Sequence, residues 1–93
     1  MANPDYEPLA KEYRTDMEQY IKLGLLPGSW LARVLSNDLA MAIHEGTPIQ
    51  VVDLPDVVRW LIRFAPAKCW GSPEIMMVWS TSRRSLWNKE GTA

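Results

Sequence analysis

The chain has 93 residues, 47% of them hydrophobic, and its ten Lys plus Arg against eleven Asp plus Glu give a net charge of -1. A chain of this length forms one domain, and a charge so near zero excludes a protein that wraps a nucleic-acid backbone, so we expect no direct DNA binding. The single cysteine, Cys69, excludes an internal disulfide, and no run of about 18 apolar residues is present that could span a membrane.

The apolar content predicts a protein with a binding surface. A domain of this size buries only about 60 to 65% of the surface that its unfolded chain exposes. The side chains of five Trp and five Met present more apolar surface than a core of this size can readily bury. We therefore expect a homo-oligomer or a ligand pocket. The N-terminal sequence MANPDYEPLA lacks the basic start and the apolar segment of a secretion signal, which predicts a cytoplasmic protein.

The spacing of apolar residues predicts an all-α fold of about four short helices, in a compact domain spanning residues 1–93. Residues 1–4 and about 85–93 are predicted to be flexible tails. The first helix runs from about Asp5 to Leu23, and Gly24 ends it. Its apolar stripe consists of Leu9, Tyr13, Met17, Tyr20 and Ile21.

The second helix is predicted to start at Ser29, which can cap it, and to run to about Glu45, with Gly46 just past its end. Gly46 to Val52 is predicted to be a loop, because Pro48 interrupts a short run of strand-favouring residues.

The third helix is predicted to begin at Asp53 as its cap, with Pro55 in the first turn, and to end at Pro66. Its predicted inward face consists of Leu54, Val57, Val58, Leu61, Ile62 and Ala65. Ser72, Pro73 and Glu74 combine three signals for the start of a fourth helix. The predicted inward residues are Ile75, Met76, Val78 and Trp79, with Met77 pointing away and Arg83 and Arg84 near the helix end.

Signatures of an enzyme are missing from the sequence. It has no Gly-rich phosphate loop, no paired histidines, no Cys-x-x-Cys and no Gly-x-Ser-x-Gly, so we expect no enzyme activity, no metal and no cofactor. His44 is typical of a solvated side chain at the negative end of a helix, and Cys69 of a small packed residue. Asp38 with His44 or Glu45 could in principle activate water, but no nucleophile or ligand set completes such a site.

Asp38 is the unusual residue of the second helix. A helical wheel places its carboxylate near the centre of the apolar arc that contains Leu31, Val34, Leu35 and Ala42. A buried acid must be paired or hydrogen-bonded. Either Asp38 accepts bonds from a helix start, a loop or an indole N–H, or it holds the Cys69–Ser72 turn or a ligand hydroxyl.

One flank of the same wheel predicts a recognition edge. Its residues are Trp30, Arg33, Asn37, Met41 and His44. Trp and Arg are enriched at binding hot spots, and an aromatic ring beside a guanidinium suits a base with its phosphate or a protein partner. The alternative is an ordinary helix rim that packs against the third helix.

Two Gly-Ser steps each open a predicted helix, Gly28-Ser29 and Gly71-Ser72. Free N–H groups at helix starts can bind phosphate or carboxylate, but ordinary capping is the favoured explanation of both steps. Glu74 disfavours an anion at the second step, whereas Lys68 and Arg63 are close enough in sequence to supply positive charge there.

Two segments of the chain contain ordered sets of short motifs. The first is YIKLGLLPGSWLARVLSNDLAMAI, from Tyr20 to Ile43, with a Pro-Gly-Ser turn and a Leu-x-Asn-Asp-Leu motif. The second is DLPDVVRWLIRFAPAKCWGSPEIMMVW, from Asp53 to Trp79, with a Pro-x-x-Cys-Trp-Gly-Ser-Pro-Glu turn. Together these segments resemble a family of short proteins in tailed-phage and prophage genomes. The resemblance covers about two thirds of the chain, and the chain departs from the family pattern at Thr47–Val52 and in the tail around Trp87. It implies a phage accessory protein in the host cytoplasm, but no particular reaction.

Because such proteins commonly blunt host defences, the first functional hypothesis is a sponge that sequesters a nucleotide-derived immune signal. Trp30 or Trp70 would stack on the base, and Arg33 or Lys68 would meet phosphate. Asn37 or Asp38 would hold base edges or ribose hydroxyls. The predicted ligand-binding residues are Ser29, Trp30, Arg33, Asn37, Asp38, Lys68, Trp70 and Ser72.

Two alternatives involve proteins rather than small molecules. In one, the Trp30, Arg33 and Met41 edge docks on a host defence protein and inhibits it, as an anti-CRISPR-like factor does. In the other, the protein is a structural or assembly module that packs within a phage complex. A DNA mimic is disfavoured, because it would need a strongly acidic face.

Overall fold

Five α-helices and one turn of 3-10 helix make up the computed structural model, which describes residues 4–91 and the side chains of residues 4–86. The helices are α1 (Lys11–Leu23), α2 (Ser29–Leu35), α3 (Leu39–Glu45), α4 (Pro48–Phe64) and α5 (Pro73–Gly91), with the 3-10 turn at Ala67–Cys69. The described range contains no strand, so the predicted all-α class is confirmed there. The count of four is wrong, because the predicted second helix is two helices.

The first helix begins at Lys11, later than predicted. Pro8 favours an extended or turn conformation in the residue before it, and residues 5–10 fold back as a turn in which the Leu9 N–H donates to the Tyr6 carbonyl at 3.1 Å. The predicted stripe is buried, and the predicted end is correct. Gly24 adopts a φ of 75°, and its N–H donates to the Tyr20 carbonyl at 2.9 Å.

The predicted second helix breaks at Ser36–Asp38. Asn37 adopts a φ of 60°, and the Asp38 carboxylate caps α3 by accepting the Met41 N–H at 3.4 Å. Ser, Asn and Asp side chains compete with helical hydrogen bonding, and Asn tolerates the left-handed conformation, which explains the break. At the start of α2, Gly28 occupies the cap position and Ser29 makes no side-chain cap, contrary to the prediction.

The predicted loop from Gly46 to Val52 is helical from Pro48 onward. The Thr47 hydroxyl accepts the Gln50 N–H at 3.2 Å, and the Gln50 side chain accepts the Thr47 N–H at 2.9 Å. This reciprocal capping box starts α4, so Asp53 is not its cap and Pro55 lies inside it. The proline in the first turn of this helix is therefore Pro48 and not, as predicted, Pro55.

The core differs from the predicted faces at two helices. On α4, Trp60 is buried whereas Ile62 is 69% exposed, because the N-terminal segment covers the Trp60 side: Tyr6 stacks on that indole with centroids 5.4 Å apart. On α5, Met76 and Trp79 are buried as predicted. Ile75 and Val78 are instead 40% and 65% exposed, and Met77 is exposed as predicted.

The last helix starts where the sequence predicts, since the Ser72 hydroxyl accepts the Ile75 N–H at 3.1 Å. It continues to Gly91, past Arg83 and Arg84, where the sequence predicted its end. The molecule is consequently elongated, measuring 44 × 25 × 20 Å. Residues 1–3 and 92–93 of the predicted tails, and the side chain of Trp87, lie outside the described residues.

We expect Thr47→Ala to lower the free energy of unfolding by about 1 kcal/mol, because it removes the hydroxyl that starts α4. Chemical denaturation followed by circular dichroism measures the change. Thr15→Ala, at an exposed position inside α1, is the matched control and should be neutral or stabilising by a few tenths of a kcal/mol. Equal stability of Thr47→Ala and the wild type would place the start of α4 elsewhere.

Candidate functional site

A cleft of about 560 Å³ opens between α1, α2 and the connection from α3 to α4. We call it the Trp30 cleft. Its lining residues are Glu12, Tyr13, Asp16, Gly28, Ser29, Trp30, Leu31, Arg33, Glu45 and Gln50. Ligand pockets commonly have volumes of about 300 to 1,000 Å³, so the size suits a small molecule or a few residues of a peptide.

Two aromatic rings form the inner wall of the Trp30 cleft. Trp30 and Tyr13 are 7% and 6% exposed, with ring centroids 5.4 Å apart. The Trp30 indole N–H donates to the Ala42 carbonyl at 2.9 Å, and the Tyr13 hydroxyl donates to Asp53 at 2.8 Å. Since both polar groups are satisfied within the chain, the rings offer a ligand mainly apolar and π surface.

The ionisation of Tyr13 is suppressed by its surroundings. Burial raises the pKa of this phenol, and the hydrogen bond to the Asp53 carboxylate and the negative charges of Asp53 and Glu12 raise it further, to about 12. Tyr13 is therefore neutral at physiological pH and keeps its proton for Asp53.

Gly46 allows α3 to end close against the Trp30 ring. A Cβ at this position would lie 2.8 Å from the indole nitrogen and 2.7 Å from the Ala42 carbonyl oxygen, which the indole binds. Only glycine therefore permits the hydrogen bond and the close approach together. The predicted role of Gly46 as the residue that follows a helix is confirmed, and the structure adds the contact that requires it.

Carboxylates dominate the rim of the Trp30 cleft. Glu12, Asp16 and Glu45 contribute three negative charges, and Arg33 contributes the one positive charge among the lining residues. The Arg33 guanidinium is already engaged: its Nε donates to Glu45 at 3.1 Å, and another nitrogen lies 3.6 Å from an Asp38 oxygen. The cleft is therefore electronegative.

The predicted site residues divide into three groups. Ser29, Trp30 and Arg33 line the Trp30 cleft. Asn37 and Asp38 form the break between α2 and α3, outside it. The prediction that Asp38 is buried is wrong, because the break turns its side chain to a position that is 38% exposed, where it caps α3 and pairs with Arg33.

The predicted recognition edge is not one continuous surface. Its residues lie on two helices and in the break between them, whereas the helical wheel assumed an unbroken helix from Ser29 to Glu45. Trp30 is buried in the core, whereas Asn37 and His44 are exposed and Met41 is half-buried. Trp30 and Arg33 remain together in the cleft because only one turn of α2 separates them.

Lys68, Trp70 and Ser72 lie at the other end of α2 from Ser29. The Gly71 N–H donates to the Leu35 carbonyl at 2.8 Å, which ties their turn to the C-terminal end of α2. Seven helical residues extend over about 9 Å, so the two Gly-Ser turns do not share one pocket. The Ser72 hydroxyl is occupied as a helix cap.

Lys68 instead borders a second opening. This groove of about 360 Å³ is lined by Ala67, Lys68, Glu74, Ile75 and Val78, and we call it the Lys68 groove. Its two charged residues come from different elements, Lys68 from the 3-10 turn and Glu74 from α5. The groove is otherwise apolar, which makes it unlike the acidic Trp30 cleft.

Cys69 is part of the core, as predicted. Its side chain is fully buried, and its carbonyl accepts the Tyr20 hydroxyl at 2.6 Å. Burial raises the pKa of the thiol to about 12. A backbone hydrogen bond and the positive charge of Arg83 lower this pKa, but by less than burial raises it. The residue is consequently a poor nucleophile.

Sequence reasoning missed the acidic rim. The sequence analysis assigned no role to Glu12 and Asp16, and nothing local relates them to Glu45, which is 33 residues from Glu12 in the chain. The available signal was two like charges four residues apart, an arrangement that disfavours a helix. Their convergence with Glu45 depends on the tertiary fold.

Comparison with models of protein families, with characterised proteins and with solved structures finds no match. Within the described residues, no three His, Cys, Asp or Glu side chains are placed to hold a metal ion. Over the same range, every helix is too short or too polar to cross a bilayer.

We expect the Cys69 thiol to be unreactive in the folded protein, because it is buried and its raised pKa leaves almost no thiolate near neutral pH. A colorimetric thiol reagent should modify it rapidly only in denaturant. The pKa of the Cys69 thiol in the folded protein lies above its usual value of 9.0. The contribution of this thiol to the free energy of unfolding is therefore fully present below about pH 9 and is lost as pH rises toward 12. Rapid modification in native buffer would contradict this burial.

Proposed function

We propose that the protein is a protein-binding module that takes a basic segment of another protein into the Trp30 cleft. The observation that carries the proposal is the charge of the rim, where three carboxylates surround an aromatic wall and the one lining cation is already paired. Given the resemblance to tailed-phage proteins, the partner we propose is a component of a host defence complex, and the proposed activity is its inhibition.

The chemistry of the cleft suits Lys and Arg side chains. Their aliphatic stems can lie against Trp30, Tyr13 and Leu31, while their cationic ends reach the rim carboxylates. An Arg side chain can also bind a carboxylate through two parallel hydrogen bonds.

Glu12 and Asp16 favour this interpretation through their spacing. They are exposed, lie four residues apart on α1, and have no ion pair with any described side chain. Like charges at this spacing destabilise a helix by about 0.2 to 0.5 kcal/mol. A cationic group bound between them would convert this repulsion into attraction.

The nucleotide sponge remains the competing hypothesis. Ser29, Trp30 and Arg33 share the cleft, as that hypothesis requires. A phosphate there would nevertheless face three carboxylates, and Arg33 would have to leave Glu45 and Asp38 to meet it. Lys68, the other predicted phosphate ligand, lies beyond the far end of α2. These charges favour the protein-binding alternative.

The test is a titration of isotope-labelled protein, followed by amide chemical shifts. The probes are a short peptide of alternating Arg and Gly, an acidic peptide of equal length, a cyclic dinucleotide and ADP-ribose. Of the four probes, we expect only the basic peptide to change the amide chemical shifts of Gly28, Ser29 and Gly46. Its binding should weaken as salt rises from about 0.05 to 0.5 M, because added ions screen exposed charges.

Charge-neutralising variants separate the Trp30 cleft from general electrostatic attraction. Removing two exposed charge contacts, each contributing about 0.2 to 1 kcal/mol, should weaken peptide binding by roughly tenfold in Glu12→Gln/Asp16→Asn. The control Asp56→Asn/Glu74→Gln changes the net charge equally outside the Trp30 cleft and should bind like the wild type. Equal loss in both variants would overturn the cleft as the site. Cleft shifts with a nucleotide that require Arg33 would favour the sponge instead.

A further inference from the structure

Arg33 already occupies part of the Trp30 cleft with the chemistry of the proposed ligand. Its side chain lines the cleft together with Trp30, one turn away on α2, and its Nε donates to the Glu45 carboxylate at 3.1 Å. A cationic group that binds a rim carboxylate beside an aromatic wall is also what the cleft is proposed to take from a partner. Arg33 therefore competes for Glu45 with any cationic side chain that enters.

The rim carboxylates differ in what they already bind. Glu12 and Asp16 on α1 have no ion pair with any described side chain, whereas Glu45 at the end of α3 is paired with Arg33. A ligand with one cationic group can bind the α1 carboxylates and leave Arg33 in place. A second cationic group needs Glu45, and it must then displace the Arg33 guanidinium.

Arg33 can leave Glu45 at little cost, because a second acidic partner is within reach. Another nitrogen of its guanidinium lies 3.6 Å from one oxygen of Asp38, whose other oxygen caps α3. The side chains of Arg33, Glu45 and Asp38 are 43%, 44% and 38% exposed, and exposed ion pairs contribute little to stability. Asp38 is not part of the cleft lining, so a guanidinium that stays on Asp38 leaves Glu45 free.

We propose that Arg33 is a built-in competitor, through which the Trp30 cleft selects ligands with two or more cationic groups. When such a ligand binds, Arg33 releases Glu45 and keeps Asp38, and the second cationic group takes its place on Glu45. This inference rests on the proposed function, since it concerns how the same cleft selects a basic partner. It gives Arg33 the opposite role from the sponge hypothesis, in which the guanidinium would bind ligand phosphate.

The test compares two Gly-rich peptides of equal length with blocked termini, one with a single Arg and one with alternating Arg and Gly. Arg33→Gln should tighten binding of the alternating peptide about threefold to fivefold at low salt, because one exposed competing pair is lost. Its effect on the single-Arg peptide should be less than about twofold. Lys22→Gln is the matched control, since it breaks an equally exposed pair with Glu18 outside the cleft, and it should leave both affinities unchanged.

Two further measurements separate displacement of Arg33 from general electrostatic attraction. The Nε–H resonance of Arg33 in the wild type should shift when the alternating peptide binds, and shift less with the single-Arg peptide. Asp38→Asn keeps a side chain that can cap α3 but removes the charge that retains Arg33. It should therefore weaken binding of the alternating peptide by about twofold in the wild type and have no effect in Arg33→Gln.

The outcomes distinguish this inference from the proposed function. If neither peptide binds to any of these proteins, both are overturned. If the alternating peptide binds but Arg33→Gln leaves its affinity unchanged, lowers it or changes it only as Lys22→Gln does, the role of Arg33 alone is overturned. Equal gains for the two peptides, or equal effects of Asp38→Asn in both backgrounds, would show that Arg33 acts only through its charge and would likewise contradict displacement.

Discussion

The phenol of Tyr20 joins the elements on which the rest of the fold depends. Its side chain is fully buried, and its hydroxyl lies 2.6 Å from the Cys69 carbonyl and 3.3 Å from the Met76 carbonyl. The Trp79 indole donates in return to the Tyr20 carbonyl at 3.3 Å. A buried hydroxyl that loses its partners costs about 1 to 3 kcal/mol, so α1, the 3-10 turn and the start of α5 are held in one arrangement.

A second hydrogen bond of the same kind shapes the Trp30 cleft. The Trp30 indole binds the Ala42 carbonyl, which folds α3 back against α2, and Gly46 leaves room for the ring. This fold-back carries Glu45 toward Arg33 and completes the rim that Glu12 and Asp16 begin on α1. The aromatic wall is thus part of the core, and the charged side chains of the rim lie at its edge.

The Trp30 cleft and the Lys68 groove differ in chemistry as well as position. The Trp30 cleft is acidic and lies at the N-terminal end of α2, whereas the Lys68 groove is mostly apolar and lies on the α5 side.

Local signals in the sequence determined the helical class, the buried stripe and end of α1 and the start of α5, because each depends on residues within about one helical turn of one another. The break at Asn37 and the capping box at Thr47 also had local signals. The apolar spacing of residues 31–42 favoured a continuous helix across the break, and the Asp53-Leu54-Pro55 sequence favoured a later start for α4. Only the tertiary structure decided that Trp60 is buried rather than Ile62, since this depends on Tyr6, 54 residues away. It also decided that Glu12, Asp16 and Glu45 share one cleft, because carboxylates remote in sequence meet only when packed helices carry them together.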